Sequence, residues 1–129
     1  MRRKLAPTLV ILVLLLAMVV GGYLYRHVKP VPPPVTTYNM QAVTVNLAGY
    51  GGHFMRVKPV LVFPAPLKQR IEAEQYKIVD RVITVLRADR YAQVMAPGGQ
   101  KLAQEQVARA AAAVVPGVRK AYFTQFLVD

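Results

Sequence analysis

The sequence predicts an α+β domain of order β-β-α-α-β carried behind a single membrane-spanning helix, and three observations lead there. Leu5 to Tyr25 is an uncharged, apolar run; Ala42 to Phe63 and Val118 to Val128 have the extended, β-rich character of strands; and after Pro64 and Pro66 the apolar spacing changes to that of helices. The whole chain is 129 residues, one domain's worth of polymer, which excludes most multi-domain enzymes. Its 17 Lys+Arg against 6 Asp+Glu give a formal net charge of +11, while 54% of its residues are hydrophobic. A soluble nucleic-acid binder explains the charge but not the apolar excess, so the two must sit in different segments.

The apolar excess sits at the start. Of the 21 residues from Leu5 to Tyr25, 17 are hydrophobic, the others being Pro7, Thr8, Gly21 and Gly22. At a rise of about 1.5 Å per residue such a helix covers about 31 Å, the thickness of a bilayer's hydrocarbon core. Without that run the remaining residues are about half hydrophobic, an ordinary globular fraction. A cleaved secretory signal is the alternative, with Arg2, Arg3 and Lys4 as its charged start. The run is longer than a signal core of roughly 7–15 residues, and no A-x-A site closes it. Tyr23, Tyr25 and Arg26 instead read as anchors at the far interface. Three basic residues before the span against Arg26 and Lys29 after it favour a cytoplasmic N-terminus. The expected divisions are a cytoplasmic start (1–4), a span (5–25), a proline-rich spacer (26–37) and an extracytoplasmic domain (38–129). Lys29-Pro30-Val31-Pro32-Pro33-Pro34 suits a polyproline II standoff; a ligand for a proline-recognition module is the sharper and weaker reading. Cysteine is absent, which fits either redox compartment.

Within the domain, Val43, Val45 and Leu47 alternate with Thr44 and Asn46 as in a strand with one buried face. Gly49-Tyr50-Gly51-Gly52 turns the chain, and Phe54 to Phe63 completes a β-hairpin. Pro59 cannot donate to a ladder, so its strand is expected at a sheet edge or with a bulge there. Leu67, Ile71, Ile78, Val82 and Leu86 trace one stripe of a helix, although the β-branched residues of its second half keep a strand as a rival. Pro97-Gly98-Gly99 breaks the chain. Gln100 to Val115 is an Ala-rich helix whose Ala103, Val107, Ala110, Ala111 and Val114 share a face, its small side chains fitting close packing against a sheet or a neighbouring subunit. The last strand should place Tyr122, Thr124, Phe126 and Val128 on one side and Ala121, Phe123, Gln125 and Leu127 on the other. Apolar on both faces, it is expected at the sheet centre, with the helices covering one face of the sheet.

The inventory for catalysis is poor. His27 and His53 are far apart, no His pair stands at metal-ligand spacing, and the acids lie beside basic residues as on solvated helix faces. The glycine loop lacks the Lys-Ser/Thr ending of a phosphate cradle and precedes a strand. The expectation is a non-enzyme with no catalytic residue, metal or cofactor. Beyond the spacer 12 basic residues face 6 acids, leaving the domain at +6. Interrupted by acids and without a run of stacking aromatics, that charge does not suit nucleic acid; anionic head groups or an acidic protein surface suit it better. A charge that serves solubility alone is the plain alternative.

The order and spacing of several blocks resemble the FliL family of single-span flagellar basal-body proteins. They are Val43-Thr44-Val45-Asn46-Leu47-Ala48 with Phe54-Met55-Arg56-Val57, Ile78-Val79-Asp80-Arg81-Val82-Ile83, Leu86-Arg87-Ala88-Asp89, Pro97-Gly98-Gly99-Gln100-Lys101-Leu102, and the ending from Val118 to Asp129 with its Tyr122-Phe123-Thr124-x-Phe126. Pro59, and Gln125 where the family often has Glu, depart from its pattern. The resemblance implies a periplasmic domain similar to the stomatin/prohibitin type that forms rings around the motor stator, supporting torque, swimming and swarming motility and chemotaxis. Stator proteins, basal-body components and further copies of the chain would be its partners. Contacts are then expected at Ala110, Ala111 and Val114 on the Ala-rich helix, at Pro59 on an edge strand, and at Arg81. The competing function is an anchored envelope scaffold that binds anionic lipid or another membrane complex.

Overall fold

The computed structural model describes residues 2–27 and 32–129, with side chains of the first helix described for residues 8–23. The Lys29-Pro30-Val31 start of the spacer lies outside the described residues, as do the side chains of Tyr25 and Arg26. The chain divides into two units, Met1–Pro32 and Pro33–Asp129.

The first unit is helix α1 (Arg2–His27). Every described side chain along it is exposed, including Leu9, Leu12, Leu16 and Met18, so the helix is apolar on all sides. Among the described residues no helix is long and apolar enough to cross a membrane. The described side chains of α1 cover residues 8–23, fewer than the roughly 20 that a bilayer core needs.

The second unit is α+β: one four-stranded antiparallel sheet with all the domain's helices on one face. Strand β1 (Val35–Asn39) precedes β2 (Val43–Asn46) and the long β3 (Phe54–Pro64). A 3-10 turn (Ala65–Leu67) leads into α2 (Lys68–Ala73), α3 (Gln75–Leu86), the short α4 (Tyr91–Met95) and α5 (Gly99–Val114), and β4 (Lys120–Val128) closes the order. The sequence expectation had no strand before Ala42. The β-branched Val35-Thr36-Thr37-Tyr38 stretch forms one, so regular structure begins ahead of Tyr38. The stripe expected of a single helix is there, with Ile71, Ile78, Val82 and Leu86 buried, but the helix is broken at Glu74 (φ −101°, ψ 11°) into α2 and α3. The rival strand reading of its second half is excluded.

Sheet topology overturns two expectations. The central strand is β3: on one edge it pairs with β1 (Asn39 opposite Val60) and then, further along, with β2 (Val43 opposite Val57), and on the other with β4. At 11 residues β3 is long enough to take two short strands end to end, which leaves β4 at the edge and not at the centre. Pro59 is therefore in the central strand. Its carbonyl accepts the Met40 N–H at 2.9 Å. A strand residue's nitrogen and carbonyl face the same edge, so the missing donor faces the 40–42 link where β1 has ended and β2 has not begun. The bulge half of the expectation holds: the register with β4 shifts between Lys58 and Pro59, making Thr124 the extra residue. The Thr124 hydroxyl donates to the Lys58 carbonyl at 3.2 Å.

That bulge also corrects the face assignment of β4. Ala121 is buried and Phe123, Phe126 and Val128 are half-buried, while Tyr122, Gln125 and Leu127 are exposed. The core lies between sheet and helices, with Met55, Val57, Leu61 and Phe63 of β3 against Ile71, Ile78, Val82, Leu86, Val107 and Ala111. The outward alternates of β3 are Arg56, Lys58, Val60 and Val62.

Candidate functional site

The residues expected to make contacts fall into two groups. Ala110 (3% exposed), Ala111 (0%) and Pro59 are buried in the domain's own core, and Val114 is half-buried against it. Small side chains on α5 serve its approach to α3 and β4, the sheet-packing alternative for that face, and Ala110, Ala111 and Pro59 have little surface left for another chain. Arg81 is exposed. With Val85 of α3 and Gln106, Arg109, Ala110 and Ala113 of α5 it lines a shallow groove of about 310 Å³. Of the five, Arg81 alone is exposed.

That groove ends on a polar tie. Asp89, 8% exposed, accepts a hydrogen bond from Gln106 Nε2 at 3.0 Å, and its carbonyl accepts the Ala48 N–H at 2.9 Å. The two bonds hold the loop after β2 to the segment before α4 and to α5. Gln106 Oε1 is buried without a partner among the described atoms. Nearby, the His53 ring stacks on Tyr91 at 3.8 Å between centroids, and its Nδ1 lies 3.2 Å from Asp129 O. Ring and loop are thus pinned to α4 and to the end of β4.

Among the described residues no three His, Cys, Asp or Glu side chains come together as a metal site. A recessed cavity of about 490 Å³ opens beside β1 and α3 and is lined by Tyr38, Met40, Gln75, Tyr76, Ile78 and Val79. Tyr38 donates to Gln75 Oε1 at 2.7 Å, and no carboxylate or imidazole lines it. Its chemistry is that of a contact surface.

Charge divides by face, which the sequence did not reveal. Among the described residues the ion pair is Lys77 with Glu74 at 3.2 Å, both near the start of α3. Five of the domain's six acids, Glu72, Glu74, Asp80, Asp89 and Glu105, lie on or between the helices. The helix-free face of the sheet carries Arg56, Lys58 and Lys120, and its one acid is Asp129, opposite Phe54 at the far end of the row. Alternation along Phe54 to Phe63 hinted at this face, but which side the helices cover was not readable locally.

No curated protein matches the chain. Residues 37–128, from within β1 to the end of β4, match the family described as "Flagellar basal body-associated protein FliL". That match takes in more than two thirds of the chain and the sheet and helices described above, so the chain belongs to the FliL family of flagellar basal-body-associated proteins.

Proposed function

We propose that this protein is a non-enzymatic, single-pass component of the bacterial inner membrane that assembles around the flagellar stator and supports torque. The observation that carries the reading is the family match over residues 37–128. The apolar helix α1 supports an anchor, since a helix hydrophobic on every side is stable when covered by lipid or protein. With residues 1–4 cytoplasmic and a span over 5–25, the proline-rich stretch before β1 would serve as a spacer and the domain would lie in the periplasm. There it would form a ring with further copies and contact stator and basal-body proteins, with Arg81 on an exposed helix face.

The domain supplies rigidity and surface, and its polar groups are engaged in ties such as Asp89–Gln106. Its contribution to motility and chemotaxis would be mechanical: holding stator units in a torque-generating state. Deleting the gene is expected to leave filaments assembled and to reduce swimming speed progressively as medium viscosity rises, measured by tethered-bead rotation at several loads. Wild-type rotation at every load would overturn the reading.

A further inference from the structure

The sheet's outer face is covered by no other element of the domain, and its side chains form an ordered row. Along β3 the outward positions are Arg56, Lys58, Val60 and Val62, and register places Lys120 of β4 beside Val62 and Tyr122 beside Val60. From Arg56 to Lys120 the row therefore reads cation, cation, apolar, cation over about 20 Å, at roughly 3.3 Å per residue. Thr37 and Asn39 of β1 and Thr44 and Asn46 of β2, at the outward positions alongside, are uncharged. Beside the first two cations the handover from β1 to β2 leaves a recess of about 420 Å³, in which Asn39, Gln41 and Gln125 add amide donors to Arg56 and Lys58. Arg56 and Lys58 have no ion-pair partner among the described residues.

We propose that this face binds an extended acidic segment of a partner protein, laid along β3 with carboxylates at alternate positions opposite Arg56 and Lys58, an apolar side chain against Val60 and Tyr122, and a further carboxylate opposite Lys120. Charge complementarity selects the occupant: guanidinium, ammonium and amide donors around one recess match carboxylates, with Arg56 able to hold one bidentately. The period-two spacing of the row matches an extended chain. A helix would present acids every three or four residues at 1.5 Å rise and miss the register. A bilayer is a poorer occupant. Three cations, two of them beside a recess, raise partitioning onto an anionic membrane by only about a hundredfold. The inference rests on this face alone and is independent of the flagellar reading.

The test uses the full chain in phosphatidylcholine nanodiscs, which keep the apolar helix in solution. The probe is a fluorescein-labelled peptide, Ser-Glu-Ser-Glu-Ser-Val-Ser-Glu-Ser, compared with its Gln-for-Glu counterpart by anisotropy at low salt. The acidic peptide should bind at least tenfold more tightly than the Gln peptide. The double variant Arg56→Glu/Lys58→Glu should weaken it at least tenfold. Lys68→Glu/Arg70→Glu, which changes net charge equally on the helical layer, should weaken it less than threefold. Circular dichroism and melting of both variants confirm folding, and Arg56→Gln/Lys58→Gln is the milder substitute if the charge reversal does not fold. Equal binding of both peptides, equal loss in both double variants, or no binding overturns the proposal. The chain has no cysteine, so Thr44→Cys takes a unique bimane label on this face. A bimane response to phosphatidylglycerol in the disc without a response to the acidic peptide also overturns it, in favour of a lipid head group.

Discussion

Gly99 opens α5 where the chain doubles back on α4, and no other residue fits there. A Cβ at this position would run into the Val94 carbonyl group and come within 2.7 Å of the Gln93 carbonyl oxygen. These are backbone atoms that cannot rotate aside. Gly99→Ala is therefore expected to cost about 1–3 kcal/mol, read as a lowered denaturation midpoint with unchanged m; equal stability would show that α4 moves freely. Ala111 obeys the same logic from a side-chain contact. At 0% exposure between helix and sheet, Ala111→Leu should destabilise by about 1–3 kcal/mol. Its effect on any cross-linked oligomer should follow from unfolding and vanish under conditions that restore the fold. A changed cross-linking ladder in a fully stable Ala111→Leu protein would return this residue to an interface.

Among the elements, β4 shows how one residue sets the faces of a strand. Ala121 and Phe123 turn inward, Thr124 is the extra residue of the bulge, and Phe126 and Val128 turn inward after it. Phe123 and Phe126 consequently stack in parallel, 5.8 Å apart and 5° between planes. Inserting an alanine between Gln125 and Phe126 would invert every side chain beyond it, exposing Phe126 and Val128 and driving Leu127 toward the core. The expected loss is about 2–3 kcal/mol, from apolar burial at two positions. Thr124→Ala keeps the bulge and removes an exposed hydrogen bond, so it should cost under about 1 kcal/mol. Comparable losses in both variants would show that the hydroxyl and not the residue count maintains the strand. As an edge strand β4 leaves one row of backbone groups unpaired within the domain. A mid-strand bulge and Lys120 are features that discourage unplanned pairing there.

For the molecule as a whole, every buried hydrophobic side chain among the described residues lies between Met40 and Ala121. The second unit therefore holds its own core, and residues 33–129 expressed alone should unfold cooperatively while losing sedimentation with membranes. Non-cooperative melting of that fragment, with cooperative melting of the full chain, would show that the core depends on the first unit. The domain's formal charge of +6 is likewise arranged by the fold. Acids accompany bases on the helical layer, whereas the sheet's outer face carries Arg56, Lys58 and Lys120 against Asp129 at its end. Raising salt should thus weaken partner contacts made by that face more than contacts made by the apolar cavity beside Tyr76, since screening acts on exposed charges.

Local pattern determined much of this protein. Four-residue spacing located Ile71, Ile78, Val82 and Leu86 on a buried stripe, alternation located Val43, Val45 and Leu47, and glycines with positive φ at Gly49, Gly51 and Gly52 turn the hairpin where their spacing suggested. The blocks carrying the family resemblance were equally legible, being short and contiguous. The tertiary structure decided what depends on residues distant in sequence. β3 became central because two short strands share its edge, Pro59 became tolerable because its missing donor faces the gap between them, and the faces of β4 were set by a bulge opposite another strand. Ala110 and Ala111 show the same limit from the opposite side, since a small-residue face reads identically whether it meets a subunit or the chain's own sheet. Periodicity reports that a face is buried, but pairing partners, set by contacts across tens of residues, determine what buries it and which face remains for a partner.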